Sequence, residues 1–276
     1  MSLLDEIIST KRLEVENAQQ TVSLHQIRAL AYDSEVPSRS LRRNMNVDKR
    51  FHFICEIKKA SPSCGIIQPD FNPLRQAQRY YEAGADALSI LTDRIYFHGS
   101  PEHLRQVRAC VDLPILRKDF IIDHYQIYES RLIGADLILL IARILSRQQI
   151  ADFVGLASKL KLEVLIELAD EMDVEKIPST TDSIILGVNN RNLHNFEVTV
   201  ENSIYLQPFL PTDIPAISES GIHTAEQCRI LYEKGFSGVL IGEALMRAES
   251  PQKLLMEFRN GVENAMQAEN LWNNLP

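Results

Sequence analysis

Ala83-Gly84-Ala85-Asp86-Ala87-Leu88-Ser89-Ile90-Leu91 has a near copy at Ile133-Gly134-Ala135-Asp136-Leu137-Ile138-Leu139-Leu140-Ile141. A fainter echo stands at Lys234-Gly235-Phe236-Ser237-Gly238-Val239-Leu240-Ile241-Gly242. Each reads as the end of a helix, a glycine that closes it, and a short buried strand. Gly84 and Gly134 are 50 residues apart, and Gly134 and Gly235 are 101 apart. One helix-plus-strand unit of a parallel α/β protein takes roughly 25–30 residues. The first gap therefore holds two units and the second holds four.

Working outward, apolar runs fall at 51–57, 87–91, 113–116, 137–141, 162–166, 183–188, 214–217 and 238–241. They are apolar on both faces, as parallel strands covered by helices are. Asn72-Pro73, Ser100-Pro101 and Ser250-Pro251 place a capping side chain before a first-turn proline. Ser146 with Gln149, and Thr224 with Gln227, have capping-box spacing. Eight strands alternating with helices predict a (β/α)8 TIM barrel. The rival, a doubly wound sheet, usually carries a Gly-rich fingerprint after its first strand. No such motif is present. Residues 1–45 precede the barrel as an N-terminal extension. Leu3, Leu4, Ile7, Ile8 and Leu13 recur at helical spacing, predicting one helix there, with a loop over 34–40. The last helix is expected over 252–268, with Trp272 beyond it as a packing residue. No linker divides the chain, so a single domain over 1–276 is expected.

The 276 residues are 45% hydrophobic and 24% charged, which argues against disorder or a fibrous chain. A net charge of −8 disfavours a general nucleic-acid binder. The apolar run Leu137–Ala142 stops at Arg143, far short of the about 20 residues a membrane helix needs. Acids in Met1-Ser2-Leu3-Leu4-Asp5-Glu6 argue against a signal peptide. Cys55, Cys64, Cys110 and Cys228 form no CxxC pair. A reduced, cytoplasmic protein without structural zinc or disulfides is expected.

Polar groups gather where the apolar runs stop. Glu56 and Lys58 follow the first, Arg117-Lys118-Asp119 the third, and Glu167 the fifth. Asn189-Asn190-Arg191 follow the sixth, and Ser218-Glu219-Ser220-Gly221 the seventh. Strand side chains alternate, so Glu56 shares a face with Lys58, and Asn189 with Arg191. Arg117 and Asp119, out of phase with Lys118, are expected to point away from the barrel axis and pair. One charge after a strand is ordinarily a solvated loop start. Five strands ending this way point to a composite site at the barrel mouth. The lesser alternative for Glu56 and Lys58 is an internal ion pair that holds the barrel shut. Ser220-Gly221 and Gly242-Glu243, after the last two runs, suit a phosphate site, and Ser61 could add a hydroxyl. His98, His103, His124, His194 and His223 lack metal-ligand spacing, and no metal is assigned.

With those residues in view, the chain resembles the indole-3-glycerol phosphate synthase family over nearly its whole length. The resemblance rests on Glu56-Ile57-Lys58-Lys59-Ala60-Ser61-Pro62-Ser63, Leu116-Arg117-Lys118-Asp119-Phe120-Ile121-Ile122-Asp123, Gly187-Val188-Asn189-Asn190-Arg191-Asn192-Leu193 and Ser218-Glu219-Ser220-Gly221-Ile222. It implies ring closure of 1-(2-carboxyphenylamino)-1-deoxyribulose 5-phosphate, with loss of CO2 and water, in tryptophan biosynthesis. It implies no cofactor. Lys118 would be the general acid, and Glu167 and Lys58 would serve the dehydration. How the proton transfers divide among these three stays open. Glu56 and Glu219 would stabilise positive charge on the anilino ring, and Asn189 would orient the substrate. Arg191 would pair with its carboxylate, Phe97 and Phe120 would sandwich its ring, and Leu139 would contact it. Ser61, Ser220, Gly221, Gly242 and Glu243 would hold phosphate, Glu243 through its backbone N–H. The extension would lay a helix over the barrel mouth as a lid. Cys64 stands where lysine is usual and Ala169 where histidine is common. The enzyme is expected to stand alone, with no fused partner domain and no nucleic-acid or membrane partner.

Three other readings compete. An isomerase of phosphoribosylanthranilate would use a Cys/Asp pair. A non-catalytic barrel would bind a phosphorylated ligand without turnover. A Schiff-base lyase would use Lys118 or Lys58 as its nucleophile.

Overall fold

The computed structural model describes residues 2–48, 50–179, 182–191 and 198–273, with side chains in the last helix up to residue 267. Eight parallel strands close into a barrel: β1 (His52–Ile57), β2 (Ala87–Leu91), β3 (Ile115–Lys118), β4 (Leu137–Ile141), β5 (Glu163–Leu168), β6 (Ile184–Asn189), β7 (Ala216–Glu219) and β8 (Gly238–Ile241). The ladder closes where β1 pairs β8, with Ile54 beside Leu240. The fold is the predicted TIM barrel. The strands reach further toward their C-terminal ends than the apolar runs suggested. Lys118, Glu167, Asn189 and Glu219 are ladder residues, with Leu91 beside Lys118 and Asn189 beside Glu219. Backbone pairing continues past the last apolar side chain because the ladder uses N–H and C=O groups that every non-proline residue carries.

The repeated Gly-Ala-Asp has a mechanical reason. Gly84 and Gly134 have φ +80° and +88°, a left-handed turn that a side chain would strain. Each aspartate then accepts a backbone N–H from the start of the neighbouring strand. Asp86 takes that of Phe53 at 2.8 Å, and Asp136 takes that of Ile115 at 2.9 Å. Each buried carboxylate is also met by arginine, Asp86 by Arg50 and Arg259, Asp136 by Arg108. Helices begin at the expected caps, including Asn72, Ser100, Ser146 and Thr224.

Strand alternation splits the core in two. Phe53, Cys55, Ile57, Val164, Ile166 and Val188 face the helices. Ile54, Leu116, Leu139, Leu165, Ile185, Ile217 and Leu240 fill the lumen. Continuing that inward parity up each strand leads to Glu56, Lys118, Glu167, Asn189 and Glu219.

The extension departs from expectation. It contains three helices rather than one: α1 (Leu3–Thr21), α2 (Leu24–Tyr32) and α3 (Leu41–Asp48). α1 lies at the mouth, where Leu3, Leu4 and Ile7 line a cavity. α3 closes the opposite end, its Leu41 and Met45 packed into the lumen cluster. The Glu163 carboxylate at the start of β5 accepts the first-turn N–H groups of Leu41 and Arg42 at 2.9 and 3.1 Å. That supplies partners the helix itself cannot. Among the described residues nine α-helices follow between and after the strands: α4 (Pro73–Glu82), α5 (Pro101–Arg108), α6 (His124–Leu132), α7 (Arg147–Lys159), α8 (Glu171–Val174), α9 (Glu201–Leu206), α10 (Ala225–Glu233), α11 (Glu243–Arg247) and α12 (Pro251–Asn273). α12 runs past the expected 268, so Trp272 stands in the helix and not beyond it.

Candidate active site

The last inward positions of five strands gather in one polar layer. Lys118 Nζ lies 3.0 Å from Glu167 Oε2 and 3.5 Å from Glu219 Oε2. Asn189 Nδ2 donates to the other Glu167 oxygen at 3.0 Å. Lys58 Nζ lies 2.7 Å from Glu56 Oε1. Two glycines make room for this layer. A Cβ on Gly187 would collide with Glu219 Oε1, and one on Gly242 would collide with Glu56 Oε1 and crowd Lys58 Nζ. The parity expected of Arg117 is observed. It points outward, buried, with Nη2 at 3.1 Å from Asp119 and 2.7 Å from Glu129.

Burial and mutual charge set the protonation of the layer. Burial raises the Glu219 carboxyl, and Glu167 and Glu56 add repulsion that Lys118 offsets only in part, so it is pushed up to about 8. Among the described residues its Oε1 has no hydrogen-bond partner. Burial alone would lower the Lys118 ammonium, but Glu167, Glu219 and Glu56 together raise it well above the usual lysine value. Burial also opposes ionisation of Glu56, yet Lys58, Lys118 and Arg191 outweigh it and hold that carboxyl below its usual value. The layer thus contains a lysine held protonated, a carboxylate held ionised and a carboxyl that titrates near neutrality.

Two cavities adjoin the layer and share Glu56, Lys58, Ser63, Lys118, Arg191 and Ser220. The first, about 160 Å³, has apolar walls from Leu91, Phe97, Phe120, Leu139 and Ile141 under the α1 residues. Ser61, Glu167 and Asn189 also line it. The second, about 380 Å³, is walled by Gly221, Gly242, Glu243, Ile222 and His223. Ser220 and Gly221 turn the chain over the end of β7 with φ +69° and +73°. A Cβ on Gly221 would run into Val198. Ser220 is a serine in a conformation that costs a side chain about 1–3 kcal/mol, a cost commonly met at functional sites.

Every residue expected at the site therefore lines one cavity or both: Glu56, Lys58, Ser61, Phe97, Lys118, Phe120, Leu139, Glu167, Asn189, Arg191 and Ser220 the first, and Glu219, Gly221, Gly242 and Glu243 the second. Two details differ from expectation. Phe97 and Phe120 touch, with ring centroids 6.1 Å apart and a 42° tilt. Rings in contact leave no slot for a third, so they form one wall and not a sandwich. Asp119 was expected to point away, and its carboxylate does pair with Arg117, yet the residue also borders the first cavity. Arg191 donates to Ser63 Oγ at 3.3 Å, and its backbone N–H to Asn189 Oδ1 at 2.9 Å. The Glu243 side chain turns to Arg247 at 2.9 Å and accepts from Cys64 Sγ at 3.4 Å. Asn192, Leu193 and His194 lie outside the described residues.

Other lining residues went unpicked from the sequence. Leu91 and Ile141 read as ordinary strand ends. Leu3, Leu4 and Ile7 gave a helical period, and the resemblance placed their helix over the mouth, but neither marked them as cavity-lining side chains. His223 gave no signal, because its part comes from the turn after β7.

A TIM barrel whose mouth joins an acid–base layer to an apolar cavity on one side and a glycine-lined polar one on the other has the layout of a barrel enzyme's active site. The family model described as indole-3-glycerol phosphate synthase matches residues 4–258. The chain belongs to the indole-3-glycerol phosphate synthase family, carboxy-lyases of tryptophan biosynthesis. Proteins of that name from Chlorobium chlorochromatii and Ruminiclostridium cellulolyticum are each 44% identical to it. The first alignment covers 89% of this chain and 95% of the relative. The second covers 94% and 100%. The protein of that name from Neisseria meningitidis serogroup C is 44% identical over 90% of this chain and 95% of its own length. The crystal structure of 3-hexulose-6-phosphate synthase from Salmonella typhimurium superposes with a TM-score of 0.63 at 12% identity, over 78% of this chain and 100% of that one. At that identity the likeness is one of fold.

Proposed function

We propose that this barrel converts 1-(2-carboxyphenylamino)-1-deoxyribulose 5-phosphate to indole-3-glycerol phosphate, CO2 and water, with the residues in the following roles. The observation that carries the reading is the position of the acid–base layer at the junction of the two cavities. The substrate has the same order of parts: an aryl ring, a reacting ketone and a phosphate. The aryl ring enters the cavity walled by Phe97, Phe120 and Leu139. The phosphate enters the one formed by Ser220, Gly221 and Gly242, with Ser61 and the Glu243 N–H as further donors.

Lys118 donates a proton to the ketone oxygen as the aryl carbon attacks the carbonyl carbon. The new C–C bond leaves a hydroxyl on the former ketone carbon and positive charge on the anilino nitrogen and ring. Glu56 and Glu219 stabilise that charge. The aryl carboxylate, paired with Arg191, leaves as CO2, and its bonding electrons neutralise the iminium. Loss of the hydroxyl with one proton from its neighbourhood then gives the aromatic pyrrole ring and water. Glu167 and Lys58 serve this dehydration. Asn189 holds Glu167 and the substrate in register. A lysine held protonated is not the free amine that Schiff-base formation needs, which favours ring closure over that route. No step calls for a cofactor.

We place the reaction in the cytoplasm. The four cysteines are free, and no helix among the described residues is long and apolar enough to cross a membrane. The test of the whole reading is turnover. Purified protein incubated with the anilino-ribulose phosphate is expected to produce indole fluorescence and one equivalent of CO2. Well-folded protein that yields neither would overturn it.

A further inference from the structure

α1 brings one buried charge to the barrel. Lys11 is 3% exposed, and its ammonium lies 2.9 Å from Asp119 Oδ1, 3.0 Å from Asp93 Oδ2 and 2.6 Å from Glu14. Lysine is almost never buried this fully unless paired. The Asp93 contact is an ion pair and not an aligned hydrogen bond. Asp93 follows β2 and Asp119 follows β3, so one ammonium bridges two adjacent strand ends.

Both carboxylates also hold backbone. Asp93 Oδ1 accepts the N–H groups of Tyr96 and Phe97 at 2.8 and 3.2 Å. Asp119 Oδ1 accepts the N–H of Phe120 at 2.9 Å. Its other oxygen is held by the Thr92 hydroxyl at 2.5 Å and by Arg117 at 3.1 Å. Among the described residues Asp93 has no such second set of anchors on its Oδ2. The α1 contact is reinforced where Thr10 pairs with the Tyr96 hydroxyl at 2.9 Å. Phe97 and Phe120 are the rings that touch to make the aromatic wall. Lys11 itself does not line that cavity.

We propose that Lys11 is a positioning residue for the aromatic end of the substrate, bridging the two aspartates that set the backbone at Phe97 and Phe120. Docking of α1 and formation of the aromatic wall are then one event. This rests on the reading above that these two rings receive the aryl group.

The test measures equilibrium binding of indole-3-glycerol phosphate and of inorganic phosphate, with steady-state kinetics, on the full chain. In Lys11→Met the Kd for indole-3-glycerol phosphate and the substrate KM are expected to rise about tenfold or more, with kcat within about threefold. The Kd for inorganic phosphate stays at its wild-type value, and Lys11→Arg restores most of the loss. Equal weakening of both ligands, or of neither, would overturn the proposal. If Lys11→Met does not fold, the charge-balanced pair Lys11→Met with Asp93→Asn takes its place, with the same expected split. Failure of both to fold would assign Lys11 to barrel stability and also overturn it. Phe120→Ala separates the two ideas. If it leaves binding of the indole product intact, the aromatic-wall reading fails. If it weakens binding and Lys11→Met does not, only the role of Lys11 fails.

Discussion

The Glu219 carboxylate lies where a side chain on Gly187 would stand. One oxygen falls within the volume of the absent Cβ. Gly187 is the residue of β6 that sits beside Glu167 of β5 and Ile217 of β7 in the ladder. A glycine inside a strand ordinarily weakens it. Here the missing side chain admits a buried carboxyl to a layer that would otherwise have no room for it.

Gly187→Ala is therefore expected to displace Glu219 and misalign its contact with Lys118. Overpacking of this kind costs about 1–3 kcal/mol of stability. The larger effect is on turnover, a fall in kcat/KM of about 10²-fold from a misplaced charge beside the reacting atoms. Urea unfolding and steady-state kinetics on the same preparation check both. A variant as active as wild type would show that Glu219 does not need this place.

Glu167→Gln keeps the shape of a side chain that touches both Lys118 and Asn189. It removes the carboxylate and with it a proton acceptor. We expect kcat to fall by about 10²–10⁴ with KM changed far less. Single-turnover measurements should place the loss before product release.

The raised Glu219 carboxyl makes two linked statements about pH. Its value moves from the ordinary 4.5 to about 8 on folding. The folded state thus binds a proton that the unfolded chain has released. This contribution to stability is complete below about 4.5 and is lost as pH rises through about 8. Charge stabilisation needs the ionised form, so kcat/KM is expected to rise with pH through the same region. Glu219→Gln should flatten both profiles. A pH–rate limb near 8 that survives the substitution belongs to another group.

Ser220 adopts a left-handed backbone at φ +69°. Ser220→Gly relieves that strain, partly offset by glycine's entropic cost of about 0.5–1 kcal/mol, and is expected to stabilise the fold by about 1 kcal/mol. It also removes a hydroxyl from both cavities, and phosphate affinity should fall about tenfold, the worth of one hydrogen bond to a charged group. Thermal unfolding and inorganic-phosphate titration should move in opposite directions.

At the far end of the barrel, Leu41 and Met45 plug the lumen. Leu41→Ala should cost about 2–5 kcal/mol in urea unfolding. Turnover of the folded fraction is expected to stay within twofold, because α3 is separated from the acid–base layer by the lumen side chains.

Much of this protein is legible in the chain because its signals are local. The Gly-Ala-Asp repeat closes one helix and opens the next strand within nine residues, so residues 83–91 and 133–141 set the number of units unaided. Two-residue alternation likewise put Glu56 with Lys58 and turned Arg117 away from Lys118. What tertiary structure alone decided are relations between residues remote in sequence. Closure of the barrel brought Lys118 to Glu167 and set Glu219 over Gly187. The helical period of Leu3, Leu4 and Ile7 carries no direction of its own; the family resemblance implies a place over the mouth, and packing decides that these three side chains line the first cavity. α3 over Leu41–Asp48 is not legible in its own stretch because its stability comes from the lumen and from the Glu163 cap, 121 and 122 residues away from Arg42 and Leu41. The resemblance brings Phe97 and Phe120 to one substrate ring, yet their direct contact, and the two aspartates and the lysine gathered beside it, belong to the tertiary structure. Local periodicity specifies which face a residue occupies on its own element. Which residues then become neighbours is set by the register in which those elements close.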